Sequence, residues 1–236
     1  MQRGAIVLLS ACLLWWVDGT TAQAAPIPDT LEQRLVACAA CHGAHGEGQQ
    51  INEYYPRIAA KPAGYLFNQL VNFRDRRRQS APIMSYLVEF LSDDYLREIA
   101  QHYATLRPAY PAPQPVSSPG VRARGEALMT RGDPARKLPA CVSCHGDSLS
   151  GMEPSIPGLV GLDARYIGAQ LGAWRNKLRR AQEPDCMATI AALLEPGDIP
   201  AIAAWLASRS VPADAHPVKA GSLLLPMDCG GVNVSK

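Results

Sequence analysis

At 236 residues and 47% apolar content, the chain is long enough for two ordinary small domains, and its composition excludes a disordered polypeptide. Lys and Arg number 23 against 21 Asp and Glu, a net charge of +2 spread over both halves, so neither half carries the basic excess of a nucleic-acid binder.

The N-terminus reads as a targeting segment. Arg3 precedes an apolar run from Ala5 to Val17, and Ala22-Gln23-Ala24 is an A-x-A cleavage pattern. Residues 1–24 are therefore expected to be a signal peptide that delivers the chain to the periplasm. Leu9-Ser10-Ala11-Cys12 also resembles a lipoprotein box in which Cys12 would be acylated, but the apolar run continues to Trp16 and favours the later cut. After Ala25 no apolar stretch approaches the roughly 18 residues that a membrane span needs.

The first half then reads as helical. Asp29 and Glu32 suggest a capping box opening a helix that runs into Cys38-Ala39-Ala40-Cys41-His42. Residues 62–74 carry Tyr65, Leu66, Gln69, Leu70 and Phe73 at helical spacing. Met84 falls in a loop-like stretch after Pro82, and Ser92 caps a last helix whose Leu96, Ile99, Ala100 and Tyr103 form one apolar stripe. From Pro108 to Pro119, five prolines forbid a helix and favour a stiff extended connector. The second half repeats the plan with helices over Val121–Arg131 and Asp163–Trp174 and a closing helix from about Asp198; no alternating strand run stands out. The expected class is all-α, with two tandem domains at 25–107 and 120–211, a proline-rich linker at 108–119 and a tail at 212–236.

Two thiols two residues apart, followed at once by histidine, form the attachment signature of c-type haem. The motif recurs as Cys141-Val142-Ser143-Cys144-His145, 103 positions later. Cys38, Cys41, Cys141 and Cys144 are the expected thioether sites for two covalently bound haem c groups, and His42 and His145 the expected iron ligands. A structural zinc site is the main rival for the thiols, but it wants four closed Cys or His ligands, and neither half supplies a second CxxC.

Met84 lies 42 positions beyond His42, and Met187 lies 42 beyond His145. That equality marks the two methionines as the opposite axial ligands rather than core fillers; Met129, Met152 and Met227 have no such match. Between the anchors, Pro56, the stretch from Tyr65 to Leu70, and Phe73 match Pro157, the stretch from Tyr166 to Leu171, and Trp174 at an offset of 101. The halves are repeats of one unit. Histidine with methionine is the ligand pair of electron-carrying cytochromes, and it raises the reduction potential. With both axial positions filled by side chains, outer-sphere electron transfer is expected, and catalysis at the iron is not.

CAACHGAHGEG, YPRIAAKPAGYLFNQLVNFRDRRR and IMSYLVEFLSDDYLREIAQHYATL in the first half, with RGEALMTRGDPARKLPACVSCHG and CMATIAALLEPGDIPAIAAWLAS in the second, resemble the dihaem cytochrome c4 family. The likeness covers most of residues 30–210. It implies the thioether and axial assignments above, and it gives the carbonyls of Pro56 and Pro157 the role of accepting the proton of the ligating histidine. Arg76 stands where the family usually has glycine, so the turn there is expected to differ, and Gly158 to Leu162 replace a longer polar stretch.

Several residues leave alternatives open. Arg74, Arg76, Arg77 and Arg78, with Arg175, Lys177, Arg179 and Arg180, either neutralise haem propionates or dock an acidic partner, or else simply solvate a helix end. His45, His102 and His216 read as surface residues. Cys186 and Cys229, the thiols left over in an oxidising compartment, are expected to pair and tie the tail to the Met187 segment, with a Cys186 thiolate on the iron as the sharper alternative. The expected function is a periplasmic electron carrier between a quinol-oxidising complex or dehydrogenase and a terminal oxidase or reductase, with no nucleic acid and no membrane span. The alternatives are a dedicated subunit of one dehydrogenase, and a dihaem enzyme of the peroxidase or thiosulfate dehydrogenase type.

Overall fold

The computed structural model describes residues 30–49, 52–116 and 118–232. The signal segment, Cys12 and Asp29 lie outside the described residues. Among the described residues, nine α-helices follow one another in two groups: α1 (Leu31–His42), α2 (Ala63–Arg74), α3 (Pro82–Val88) and α4 (Asp93–Thr105), then α5 (Pro119–Thr130), α6 (Val142–His145), α7 (Ala164–Arg175), α8 (Cys186–Ala192) and α9 (Asp198–Ala207). Among the described residues, no helix is long and apolar enough to cross a membrane.

Local chemistry explains most of the boundaries. Thr30, not a capping box from Asp29, opens α1: its hydroxyl accepts from the Gln33 amide at 3.3 Å. Ser92 does the same for α4 by accepting from the Tyr95 amide, and Asp93 and Asp94 in the first turn complement the helix dipole. Pro82 can open α3 because a helix's first amides lack intrahelical partners anyway. Met84 and Met187 therefore sit on short helices, where loops were expected; Asp185 caps α8 by accepting from the Ala188 amide. A second departure is a two-residue antiparallel pair, β1 (Gly151–Met152) on β2 (Ile156–Pro157), too short to leave an alternating pattern in the sequence.

Each group of helices closes its own core. In the first, the apolar stripe of α4 buries Ile99, Ala100 and Tyr103 against Leu35 and Leu66, while Leu96 meets Phe73 and Val88. In the second, α5, α7 and α9 enclose Leu128, Met129, Ile167, Leu171, Ile202, Trp205 and Leu206. Gly125 is needed where α5 meets α9, since a Cβ there would lie 2.3 Å from the Ala201 carbonyl oxygen. Residues 106–116 between the groups form no helix.

The tail does not hang free. The Val218 amide donates to the Gly151 oxygen at 2.9 Å, Cys229 is bonded to Cys186, and the Asn68 side chain of α2 donates to the Gly231 oxygen at 2.8 Å. The expected disulfide thus carries the tail across the second domain's methionine helix and onto the first domain.

Candidate haem sites

The two expected attachment motifs are held alike. On the last turn of α1, Cys38 and Cys41 are three residues apart and so share a face. His42 ends the helix, and Gly43 at φ 83° turns the chain away. The short α6 repeats this with Cys144, His145 and Gly146 at φ 80°.

Each histidine is buried and fixed by the chain beyond it. Nδ1 of His42 donates to the Pro56 carbonyl at 2.8 Å, and Nδ1 of His145 donates to the Pro157 carbonyl at 2.8 Å. A carbonyl only accepts, so Nδ1 carries the proton and Nε2 is left with its lone pair, the form a metal takes. Burial pushes the pKa of both rings down and favours that neutral form. Two glycines that the sequence reading passed over make the contact possible. Gly48 and Gly151, again 103 apart, have φ of 76° and 91°, and a Cβ on either would lie 2.6 to 2.7 Å from the carbonyl carbon of Pro56 or Pro157. The recurrence of glycine at one repeat offset was the available signal.

His42, Met84, His145 and Met187, together with all four motif cysteines, line one continuous cavity of about 660 Å³. Leu66, Ile99 and Leu128 are among its apolar walls. Met129 and Met227 also reach the wall, and Met152 is buried in β1. Burial raises the thiol pKa of Cys38 and Cys144 and pushes that of Cys141 up to about 12, so the unmodified thiols stay protonated. Among the described residues, no three His, Cys, Asp or Glu side chains converge as a metal cluster.

The cavity's polar groups come from both domains. Arg78 and Arg179 are buried and face each other across an antiparallel bridge, flanked by hydrogen bonds from the Gln79 amide to the Leu178 oxygen and from the Arg180 amide to the Arg77 oxygen. Each guanidinium donates to Gln69 of α2 and Gln170 of α7 at 2.6 to 3.0 Å, forming a pseudo-symmetric ring. Arg78 Nε and Trp174 Nε1 are buried, line the cavity and have no hydrogen-bond partner there. Buried unpaired donors are costly, and two in an apolar cavity suit an apolar disc that carries carboxylates at its edge, as haem does. Lys61 crosses from the first domain to donate to the Gly158 oxygen at 2.6 Å, and burial pushes its pKa down to about 7.

The basic clusters therefore divide. Arg78 and Arg179 are neither a solvated helix end nor a docking surface, whereas Arg74 pairs with Asp93 at 2.7 Å and Arg76 with Glu89 at 3.0 Å nearer the surface. Arg76, which stands where the family usually has glycine, adopts the left-handed region at φ 55°, and its repeat equivalent Lys177 does the same at φ 59°.

Two helical units with duplicated Cys-x-x-Cys-His motifs, each histidine held on a proline carbonyl, define a dihaem c-type cytochrome. The chain is 35% identical over 223 residues to the thiosulfate dehydrogenase electron acceptor of Thiomonas intermedia, an alignment covering 94% of this chain and 96% of that one. It is 32% identical to the cytochrome c4 of Pseudomonas aeruginosa over 177 residues, 74% of this chain and 85% of the other. Among solved structures, thiosulfate dehydrogenase (TsdBA) from Marichromatium purpuratum superposes with a TM-score of 0.65 at 35% identity; the match covers 75% of this chain but 37% of that longer one. No protein-family model matches. The chain belongs to the dihaem cytochrome c4 family and carries two haem c groups, and its business is electron exchange with redox partners.

Proposed function

We propose that this chain is a periplasmic electron carrier that accepts electrons from a dehydrogenase of the thiosulfate-oxidising class and passes them to an oxidase or reductase. In this reading residues 1–24 are a removed signal peptide, and the haem domains span 25–107 and 120–211. Cys38 and Cys41 hold one haem, and Cys141 and Cys144 the other. His42 with Met84, and His145 with Met187, fill the axial positions. The haems supply irons that change oxidation state while their ligands stay in place. The protein's part is to fix the histidine rings, to keep water from the cavity and to neutralise carboxylates with Arg78 and Arg179. If these four side chains held the irons, a substrate would reach an iron only by displacing one of them, which supports a carrier rather than an enzyme.

The observation that carries this reading is the twofold recurrence of one geometry, a buried histidine on a proline carbonyl with a methionine lining the same cavity. The dehydrogenase as donor is supported by the 35% identity to a thiosulfate dehydrogenase electron acceptor along nearly the whole chain. The test is the ferric absorption band near 695 nm that reports iron–methionine bonding. Met84→Ala and Met187→Ala should each remove about half of it and the double variant all of it, in proportion to the one ligand in two that each removes. A band that survives both substitutions overturns the assignment.

A dedicated subunit of one dehydrogenase is the second reading. It is favoured by the solved relative in which the matched fold occupies 37% of a single longer chain. A stable stoichiometric complex with the enzyme on purification would select it over the free carrier.

A further inference from the structure

The helix that bears Met84 is unusually bare. Ile83, Tyr86 and Phe90 are 57%, 71% and 90% exposed, and with Leu87 they place four large apolar side chains at the surface within eight residues. Ile83 and Leu87 also line the cavity, so the same side chains touch solvent and the space that the first haem takes.

The repeat supplies an internal control. At the offset of 103 the four counterparts are Cys186, Thr189, Ile190 and Leu193. Cys186 is bonded to Cys229, the Gly230 amide donates to the Pro184 oxygen at 2.9 Å, and Ile190 and Leu193 pack on the second core. The tail therefore closes on the second domain a face that the first domain leaves open.

The charges on this helix and on the facing ends of α2 and α4 are matched within the chain. Arg74 pairs with Asp93, Arg76 with Glu89, and Arg97 with Asp94 at 2.8 Å. With its own charges paired, the patch itself offers apolar contact, so it suits a partner whose contact face is apolar.

We propose that the Ile83–Phe90 face of the first domain is the docking surface for the electron-donating dehydrogenase, whose contact face is apolar around its own exposed redox centre. This rests on the dehydrogenase reading above. In each encounter one electron leaves the enzyme's reduced centre and one ferric iron of the first domain becomes ferrous; no bond forms or breaks. The second haem is filled through the shared cavity rather than from its own side, where the tail stands.

The test is stopped-flow reduction of the full ferric chain by thiosulfate dehydrogenase with thiosulfate, beside reduction by ascorbate. Tyr86→Glu/Phe90→Glu should slow the enzyme reaction at least about tenfold, the loss expected of a contact centre. The 695 nm band and the ascorbate rate should stay as in the wild type, which shows that the variant is folded. Tyr86→Ser/Phe90→Ser, without added charge, should slow it in the same direction, and raising the salt should change the wild-type rate less than about threefold because the contact itself is apolar. Thr189→Glu, the repeat equivalent of Tyr86, should stay within about twofold of wild type, being outside the contact centre. Unchanged rates in both double variants, or an equal fall in Thr189→Glu, overturn the docking face and leave the dehydrogenase reading standing. A wild-type chain that ascorbate reduces and the enzyme does not overturns that reading, and the docking proposal with it.

Discussion

Removing the tail's covalent tie with Cys186→Ser/Cys229→Ser has a cost that the fold itself sets. The partners are 43 residues apart in sequence with Cα atoms 5.1 Å apart, and their bond closes a loop containing α8, α9 and most of the tail. Restricting the unfolded chain by such a loop is worth about 13 cal/mol/K, or about 4 kcal/mol at room temperature, as an upper bound. Non-covalent ties remain, among them Gly230 to Pro184 and Asn68 to Gly231, and they limit how much folded structure the substitution disturbs. The assay is guanidinium unfolding of the ferric protein followed by tryptophan fluorescence. Beyond the expected cleavage site, Trp174 and Trp205 are the chain's tryptophans, and both lie in the second domain, so the signal reports the half that the disulfide staples. With a slope of about 3 kcal/mol/M for a domain of this size, the midpoint should fall by about 1 M. A fall below about 0.3 M, equivalent to less than about 1 kcal/mol, would refute the loop-closure reasoning.

Asp198 is 2% exposed and accepts from Arg124 and Arg136 at 2.7 to 2.8 Å and from the Glu195 amide at 2.9 Å, so Asp198→Asn removes the buried charge between two guanidinium groups and should cost about 2 kcal/mol in the same unfolding assay, less than a full stranding because Arg136 keeps Asp133 at 2.8 Å. Although burial alone would raise its pKa, the bonds from Arg136, Glu195 and Arg124 hold its carboxyl below the usual carboxylate range. Its contribution is therefore complete above the unfolded-state value of about 4 and is lost as pH falls through the lower folded one; a variant whose deficit stays constant through acid titration would contradict this. Lys177→Gly should raise stability by about 0.5 to 1 kcal/mol, because φ 59° costs a side chain what glycine does not incur, net of glycine's greater freedom when unfolded. Arg76→Gly should gain less, since it also gives up the exposed pair with Glu89, and a loss in both would show that the turn is not strained.

What the sequence made readable was chemistry that needs contiguous residues or that the duplication prints twice. Cys38 to His42 is readable as an attachment motif because thioether and axial bonds to one porphyrin would demand neighbouring side chains. Met84 and Met187 stand far in sequence from the motif histidines, and only their equal spacing in each half sets them apart from Met129, Met152 and Met227 as the proposed ligands. Helix periodicity found α2 and α4 because each buries one stripe, and it missed α3 and α8 because seven residues are too few to show a period, and in α3 the apolar side chains face outward. Asp198 was expected only as the point where a helix starts. Its burial depends on Arg124 and Arg136, more than sixty residues away, and no local pattern carries that information.

The interface between the halves was the hardest part to read, for a reason that the repeat itself explains. Arg78 and Arg179 each look like one more cation at a helix end, since their partners Gln170 and Gln69 lie in the opposite unit, and a repeat compares units without saying how they meet. The duplication does constrain them indirectly. A residue needed once at a pseudo-twofold interface must be supplied by both copies, so Gln69 and Gln170, Arg78 and Arg179, and Tyr65 and Tyr166 are conserved between the halves at one offset of 101 although they serve a single ring. Positions freed from that requirement could diverge, and Ile83 against Cys186 is where the units differ most in what they meet: solvent on one side, the tail on the other. Symmetry was retained at the shared wall of the cavity and given up at its two outer walls, so a chain made of two copies has two unlike faces.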